Sequence, residues 1–120
     1  MSGHIDGVVV HITSPDANDW QQALRNVSNL HSDESVPVEP NLITIVVNGD
    51  ATRFLQADEP DADRLSRLAD SGVRILACSN SLERLGYSPD ELADGVDTVD
   101  SGVAEVTRLQ WHGNGYLKLP

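Results

Sequence analysis

Three short apolar segments, separated by longer polar stretches, set the pattern of this chain. They are GVVVHIT (7–13), NLITIVVNG (41–49) and VRILAC (73–78). Each is rich in β-branched residues and nearly continuous rather than alternating, which is typical of parallel strands covered on both faces. Two shorter segments, VDTV (96–99) and GYLKLP (115–120), predict a fourth and a fifth strand.

Helical periodicity occupies the stretches between the strands. After the first strand, apolar residues recur at steps of three and four, at Trp20, Ala23, Leu24, Val27 and Leu30. The sequence Ser14-Pro15-Asp16 indicates where this helix begins. A second helix is predicted around Leu65, Leu68 and Ala69 and is closed by Gly72.

Two further helices are predicted in the last third of the chain. NSLERLG (80–86) predicts a short helix that opens with a capping box formed by Asn80 and Glu83. SGVAEVTRLQWHG (101–113) predicts a helix whose inward side carries Val103, Val106 and Leu109. Strand and helix therefore alternate throughout, and this alternation predicts an α/β fold with a parallel sheet and helices on both faces. We expect one domain over residues 1–120, with residues 1–6 loose.

A parallel sheet gathers every strand-to-helix junction at one edge, outside the carboxyl ends of the strands, where such folds keep their sites. The predicted edge collects Ser14, Asp16, Asn48, Gly49, Cys78, Asn80, Ser101 and Gly102.

Cys78 is the only cysteine, and it stands where the third strand gives way to a helix. Backbone N–H groups at a helix start favour the thiolate, and Ser79 and Asn80 add polar donors. The alternative is that Cys78 fills space at the end of a buried strand. Since one cysteine cannot form an internal disulfide, a carrier or transfer role is more plausible than a dithiol oxidoreductase, and a reducing cytoplasm is expected.

Asn48-Gly49 follows the second strand, and the sequence leaves two interpretations of it open. The pair forms a simple turn, or it lines the edge near Cys78 with the Asn48 amide offering donors to a bound group.

An alternative interpretation of Cys78 involves Arg84. Cys78, five residues and Arg84 have the spacing of a cysteine-phosphatase loop, in which backbone N–H groups surround a phosphate and the arginine clamps it. The five intervening residues contain no glycine and look helical, which argues against such a loop.

The four histidines share no ligand motif, so no metal site is predicted. His11 lies in a predicted buried strand and is interpreted as structural. His112, in a predicted loop, is the better candidate for a partner of the thiolate.

The charge is strongly acidic, with 19 Asp and Glu residues against 8 basic ones, of which Lys118 is the only lysine. Nucleic acid and anionic membranes are therefore not expected as partners. The acids are scattered, which favours adaptation to a salt-rich cytoplasm over attraction to a basic partner. No segment has the length of apolar residues that a membrane span needs, and MSGHIDG does not resemble a signal peptide, so a cytoplasmic location is expected.

Five segments in this order resemble the DsrE/DsrF-like family, in particular its small single-domain members. They are VVVHITSPDANDWQQALRNVSNL, ITIVVNGDATRFL, GVRILACSNSL, GVDTVDSGVAEVTRLQ and GYLKLP, and the resemblance covers about residues 7 to 120. It implies a three-layer α/β/α domain with a parallel five-stranded sheet, and homo-oligomers that are often trimers or hexamers.

The resemblance also implies a chemistry, because some relatives carry a persulfide on a cysteine at the end of the third strand. By position this residue is Cys78, with Asn80 and Asn48-Gly49 at matching junctions. The expected function is therefore a sulfur carrier, rather than a turnover enzyme, that takes sulfur from a donor protein and passes it to an acceptor without cofactor or metal. Ser79, Asn80, Asn48 and Gly49 are the expected binding residues. The alternative is a non-catalytic homo-oligomeric module that binds a small ligand, with Cys78 as part of the pocket wall.

Overall fold

The computed structural model describes residues 7–120, and the prediction that residues 1–6 are loose falls outside this range. Five strands form one sheet in the order β4-β3-β2-β1-β5, and every neighbouring pair is parallel. The strands are β1 (Gly7–Ile12), β2 (Ile43–Val47), β3 (Arg74–Cys78), β4 (Val96–Val99) and β5 (Asn114–Lys118). The α/β class, the parallel sheet and all five predicted strands are confirmed.

Four α-helices connect the strands: α1 (Ala17–Ser32), α2 (Ala62–Asp70), α3 (Ser79–Leu85) and α4 (Gly102–Trp111). Short 3₁₀ turns lie at Pro40–Leu42, Gly49–Leu55 and Pro89–Glu91. Helix α1 begins as predicted, because the Asp16 carboxylate accepts hydrogen bonds from the backbone N–H groups of Asn18 and Asp19. No helix within residues 7–120 has both the length and the apolar character needed to cross a membrane.

The path of the chain explains why the two faces of the sheet are covered unequally. The chain crosses from β1 through β2 and β3 to β4 and then returns to place β5 beside β1. Right-handed crossovers put connections that move in opposite directions on opposite faces. The larger core therefore lies under α1 and α2, around Trp20 and Leu65. The smaller core lies under α4, where Val106 packs with Val9, Val46 and Leu76.

Helix α4 differs from the prediction in the residues that it turns inward. Val106 is buried and Leu109 packs against the smaller core, as expected, but Val103 is 59% exposed. The inward position in the first turn belongs to Gly102, because this turn approaches the sheet too closely for a larger side chain.

The predicted capping box of Asn80 and Glu83 is also wrong. Strand β3 runs directly into α3, so Cys78 itself is the N-cap residue and Asn80 already lies inside the first turn. The predicted end of this helix at Gly86 is correct.

Candidate functional site around Cys78

Cys78 is the last residue of β3 and the residue from which α3 begins. Strand β3 lies between β2 and β4, so the thiol is flanked by both neighbouring strand ends. Only 6% of the residue is exposed. The thiol is therefore held at the carboxyl edge of the sheet, beneath the first turn of the helix that follows β4.

The Cys78 thiol is surrounded by hydrogen-bond donors. Burial raises its pKa, because a thiolate is poorly solvated away from water. The Ser81 hydroxyl and the backbone N–H groups of Gly102, Ser81 and Asn80 stabilise the thiolate and together outweigh burial. The net result is a pKa below the ordinary value for cysteine, which increases the fraction of reactive thiolate at neutral pH.

Ser81 connects this thiol to the end of β2. The backbone N–H of Gly49 donates to Ser81 Oγ at 2.7 Å, which leaves the Ser81 O–H free to donate to the Cys78 sulfur. Gly49 has a φ of 72°, a left-handed conformation that glycine adopts without steric cost. The predicted pair Asn48-Gly49 is therefore both a turn and a part of the thiol's surroundings.

Ser81 was missed by the sequence-based prediction. The available signal was its spacing, because a serine three residues after an N-cap residue lies one helical turn along and faces back toward the cap. The sequence suggested this spacing between Asn80 and Glu83, whereas the structure has it between Cys78 and Ser81.

Asn48 lies beside Cys78 on the adjacent strand. The parallel register pairs Val47 with Ala77, so the next residues along, Asn48 and Cys78, emerge side by side and on the same face. The first turn of α4 closes over both: a Cβ atom at Gly102 would lie 3.0 Å from Asn48 Cβ and 3.3 Å from Cys78 Cβ. These three residues, predicted to collect at one edge, do meet there.

A buried histidine reaches the same place from β1. His11 Nε2 is hydrogen-bonded to Asn48 Oδ1, and His11 Nδ1 lies 2.9 Å from the Tyr116 hydroxyl of β5. The sequence identified His11 as a structural residue in a strand, and it is buried as expected. Its contact with Asn48 joins residues 37 positions apart, and no local pattern in the sequence indicates it.

The remaining predicted site residues, Ser79 and Asn80, occupy the first turn of α3. Asn80 is exposed, while its backbone N–H lies near the thiol and 3.3 Å from the Asp100 carbonyl oxygen. Ser79 is half-buried and opens on the other side of the helix into a small cavity. The residues that line this cavity are Ser79, Leu82, Glu83, Tyr87 and Pro89.

The phosphatase alternative lacks its loop. Because α3 begins at Ser79, the residues between Cys78 and Arg84 are helical and cannot wrap around a phosphate. Arg84 instead forms an exposed ion pair with Asp50 at 3.1 Å.

His112 is likewise remote from the thiol. It caps the far end of α4, about 15 Å along a ten-residue helix from the first turn that covers Cys78. Within residues 7–120, no cluster of three or more His, Cys, Asp or Glu side chains is arranged to hold a metal ion.

The DsrE/DsrF-like family model matches residues 7–119, which is nearly the whole of the chain. The chain belongs to the DsrE/DsrF-like family. A solved structure described as a protein of unknown function, MTH1491 from Methanobacterium thermoautotrophicum, is 35% identical and superposes with a TM-score of 0.84. The match covers 92% of this chain and 96% of that one.

Two more distant structures share the fold of this DsrE/DsrF-like chain. The YchN protein from E. coli is 16% identical, with a TM-score of 0.76 over 93% of this chain and 98% of that one. BT1422 from Bacteroides thetaiotaomicron, described as a conserved protein of unknown function, is 17% identical, with a TM-score of 0.64 over 92% and 93% of the two chains. No curated protein matches this chain.

Proposed function

We propose that this DsrE/DsrF-like protein is a sulfur carrier that holds a persulfide on Cys78 and passes it to a thiol of a partner protein. The observation that carries the proposal is the set of hydrogen bonds that favours the Cys78 thiolate, from Ser81 and from backbone N–H groups of two helices. Membership of the family supports the same chemistry.

The proposed reaction is a pair of sulfur exchanges without net oxidation. The Cys78 thiolate attacks the outer sulfur of a donor persulfide, the donor's S–S bond breaks, and its electron pair leaves on the donor thiolate. Cys78 then carries an S–S bond to the transferred sulfur. An acceptor thiolate attacks that outer sulfur, forms a new S–S bond and releases the Cys78 thiolate, which is a better leaving group than an ordinary cysteine because its pKa is lowered.

The polar groups at the strand ends suit the outer sulfur of such a persulfide. Asn48 lies at the end of β2 beside the thiol, and the backbone N–H groups of Asn80 and Ser81 face it from the first turn of α3. Donor groups on both sides would stabilise the negative charge of a persulfide anion, as they stabilise other anions at helix starts and turns. This reaction uses the chain's own residues and needs no cofactor or metal.

Intact-mass analysis tests the proposal directly. The protein, kept in concentrated KCl, is exposed to a small persulfide and to inorganic polysulfide, and its mass is compared with that of Cys78→Ser. We expect wild type to gain the mass of one sulfur atom, and to lose it when a low-molecular-weight thiol is added. Cys78→Ser should gain nothing, because it contains no other cysteine. A wild-type protein that stays unmodified under both donors would contradict the proposal.

We also propose that the protein acts as a homo-oligomer, either a trimer or a hexamer. Large apolar side chains remain exposed on and beside α4, with Val103 at 59%, Trp111 at 81% and Tyr116 at 40%. Apolar surface of this kind is typical of protein interfaces. Sedimentation equilibrium in concentrated KCl measures the state, and a monomer at micromolar concentration would contradict this expectation.

The second candidate function is a small-ligand-binding module, and the burial of Cys78 favours it. A donor must reach the sulfur atom, yet only 6% of the residue is exposed. In this reading Cys78 is part of the pocket wall, and its reaction with persulfides and with small alkylating reagents would be equally slow. The rates at which wild type and Ser81→Ala react with persulfides separate the two functions. A wild-type rate well above that of Ser81→Ala favours the carrier.

A further inference from the structure

Asn48 has an amide side chain whose two ends differ chemically, and its neighbours determine which end faces the thiol. The carbonyl oxygen only accepts hydrogen bonds, whereas the NH₂ group only donates them. An oxygen turned toward a thiolate would repel it, while an NH₂ group would stabilise it. The orientation of Asn48 therefore affects the charge state of Cys78, which lies beside it under Gly102.

His11 engages one end of this amide. Its Nε2 is hydrogen-bonded to Asn48 Oδ1, and since that oxygen can only accept, Nε2 must carry the proton. The other ring nitrogen, Nδ1, then accepts from the Tyr116 hydroxyl at 2.9 Å when the ring is neutral. Both ring nitrogens therefore have a hydrogen-bond partner, and these partners hold the ring between the end of β2 and β5.

We propose that His11 is a positioning residue: by binding Asn48 Oδ1, it turns the Asn48 NH₂ group toward the Cys78 sulfur. The inference rests on the proposed function only for the benefit of this orientation, which is to stabilise the thiolate and the persulfide anion. The placement of His11, Asn48 and Cys78 rests on contacts within the chain. His11 is buried at 8% exposure, so it acts through Asn48 rather than by meeting a substrate.

The neighbouring residues Tyr116, Lys118 and Ser81 do not orient the Asn48 amide. From β5, Tyr116 binds the opposite ring nitrogen, and Lys118 is the register partner of His11 but is exposed. Ser81 is buried on the other side of the thiol and is occupied by Gly49. Tyr116 therefore supports the ring, and His11 is the residue that contacts the amide.

Measurement of the Cys78 thiol pKa in matched variants tests this proposal, using the ultraviolet absorbance of the thiolate without any sulfur donor. His11→Leu fills the space without a donor, His11→Gln keeps an N–H donor, and Asn48→Ala removes the amide. We expect His11→Leu and Asn48→Ala each to raise the pKa by roughly 0.5 to 1 unit, and His11→Gln to lie near wild type. His112→Gln, an exposed histidine, serves as the control and should change nothing.

The double variant His11→Leu/Asn48→Ala decides whether His11 acts through Asn48. If it does, the double variant has the pKa of Asn48→Ala alone, because the two effects share one path. Additive effects, or an unchanged pKa in His11→Leu, would overturn the proposal.

A further variant covers the case in which His11→Leu does not fold. Asn48→Asp keeps an oxygen for His11 Nε2 but presents a second oxygen in place of the NH₂ group, so it should raise the thiol pKa more than Asn48→Ala does. An equal or smaller rise would overturn the proposal. Persulfide formation is measured separately in the same variants, so a protein that shows the expected pKa pattern but never gains sulfur would refute the proposed function alone.

Discussion

At the scale of single residues, burial acts most strongly on Cys78 and raises its pKa, and the group that opposes it most is a hydroxyl one helical turn away. Ser81 is buried and receives the Gly49 N–H, so its own proton is directed to the sulfur. Among residues 7–120, no other side-chain hydroxyl contributes to the lowered pKa of Cys78. This makes Ser81 the first residue at which to test the chemistry of the site.

Ser81→Ala is expected to raise the thiol pKa by roughly one unit, because a hydrogen bond that favours the thiolate is lost while burial remains. At neutral pH the thiolate fraction, and hence the alkylation rate, should therefore fall, by up to about tenfold for one unit. The rate is followed against pH with a small alkylating reagent.

Ser79→Ala is the matched control. It removes a hydroxyl two residues before Ser81, in the same turn of α3, and this hydroxyl does not act on the pKa of the Cys78 thiol. If both alanine variants slow alkylation to the same extent, the effect belongs to the helix as a whole and not to Ser81.

Some residues of the site could be located from the neighbouring sequence, and others could not. Cys78 and Asn48 could be located from sequence, because each directly follows an apolar segment and parallel strands end at one edge. His11 could not, because its role depends on Asn48, which follows β2 and lies diagonally across from His11 in the sheet. Ser81 depends on α3 beginning without a connecting loop, and the sequence does not distinguish that from a start two residues later.

At the scale of elements, α4 is positioned by a close approach to the sheet. Gly102 brings the first turn against the strand ends, and a Cβ there would lie 3.0 to 3.3 Å from Asn48, Cys78 and Val46 side-chain atoms. Two of these are Cβ atoms, which are fixed to their strands and cannot rotate away.

Gly102→Ala should therefore displace α4 and lower the free energy of unfolding by about 1 to 2 kcal/mol, the cost of overpacking less a small gain in helix propensity. Urea unfolding at fixed KCl measures the change. The control is Val103→Ala at the exposed neighbouring position, where a change within about 0.5 kcal/mol is expected. A Gly102→Ala protein as stable as wild type would mean that the helix settles elsewhere at no cost.

The elements themselves were largely predictable. The strands β1, β2 and β3 are continuous apolar segments, and α1 carries both its periodicity and its Asp16 cap in the sequence. The error at Val103 has a physical cause: periodicity identifies residues three and four apart as one face, but not how near that face lies to the sheet. Only the assembled layers reveal that glycine occupies the closest point.

At the scale of the whole molecule, charge repulsion depends on salt concentration. The net charge is −11, and the radius of gyration is 13.6 Å. The Debye length is about 30 Å at 0.01 M salt and about 3 Å at 1 M. In dilute buffer the carboxylates therefore repel one another across the entire molecule, whereas in molar salt only adjacent ones interact.

The thermal unfolding midpoint should accordingly rise by several degrees between dilute and molar KCl, as measured by circular dichroism. The triple variant Asp58→Asn/Asp70→Asn/Asp97→Asn removes three exposed charges and should show a weaker salt dependence. A midpoint that is independent of KCl, or equal slopes for both proteins, would contradict the expectation that this acidity is an adaptation to salt.

The hydrogen bond between His11 and Tyr116 joins residues 105 positions apart, and it exists because the last strand pairs with the first. Pairing the two ends of the chain closes a large loop, which costs conformational entropy. A molecule whose β5 is detached keeps its cysteine but loses the Tyr116 partner of His11. The environment of the thiol therefore depends on the C-terminal strand staying beside the first one.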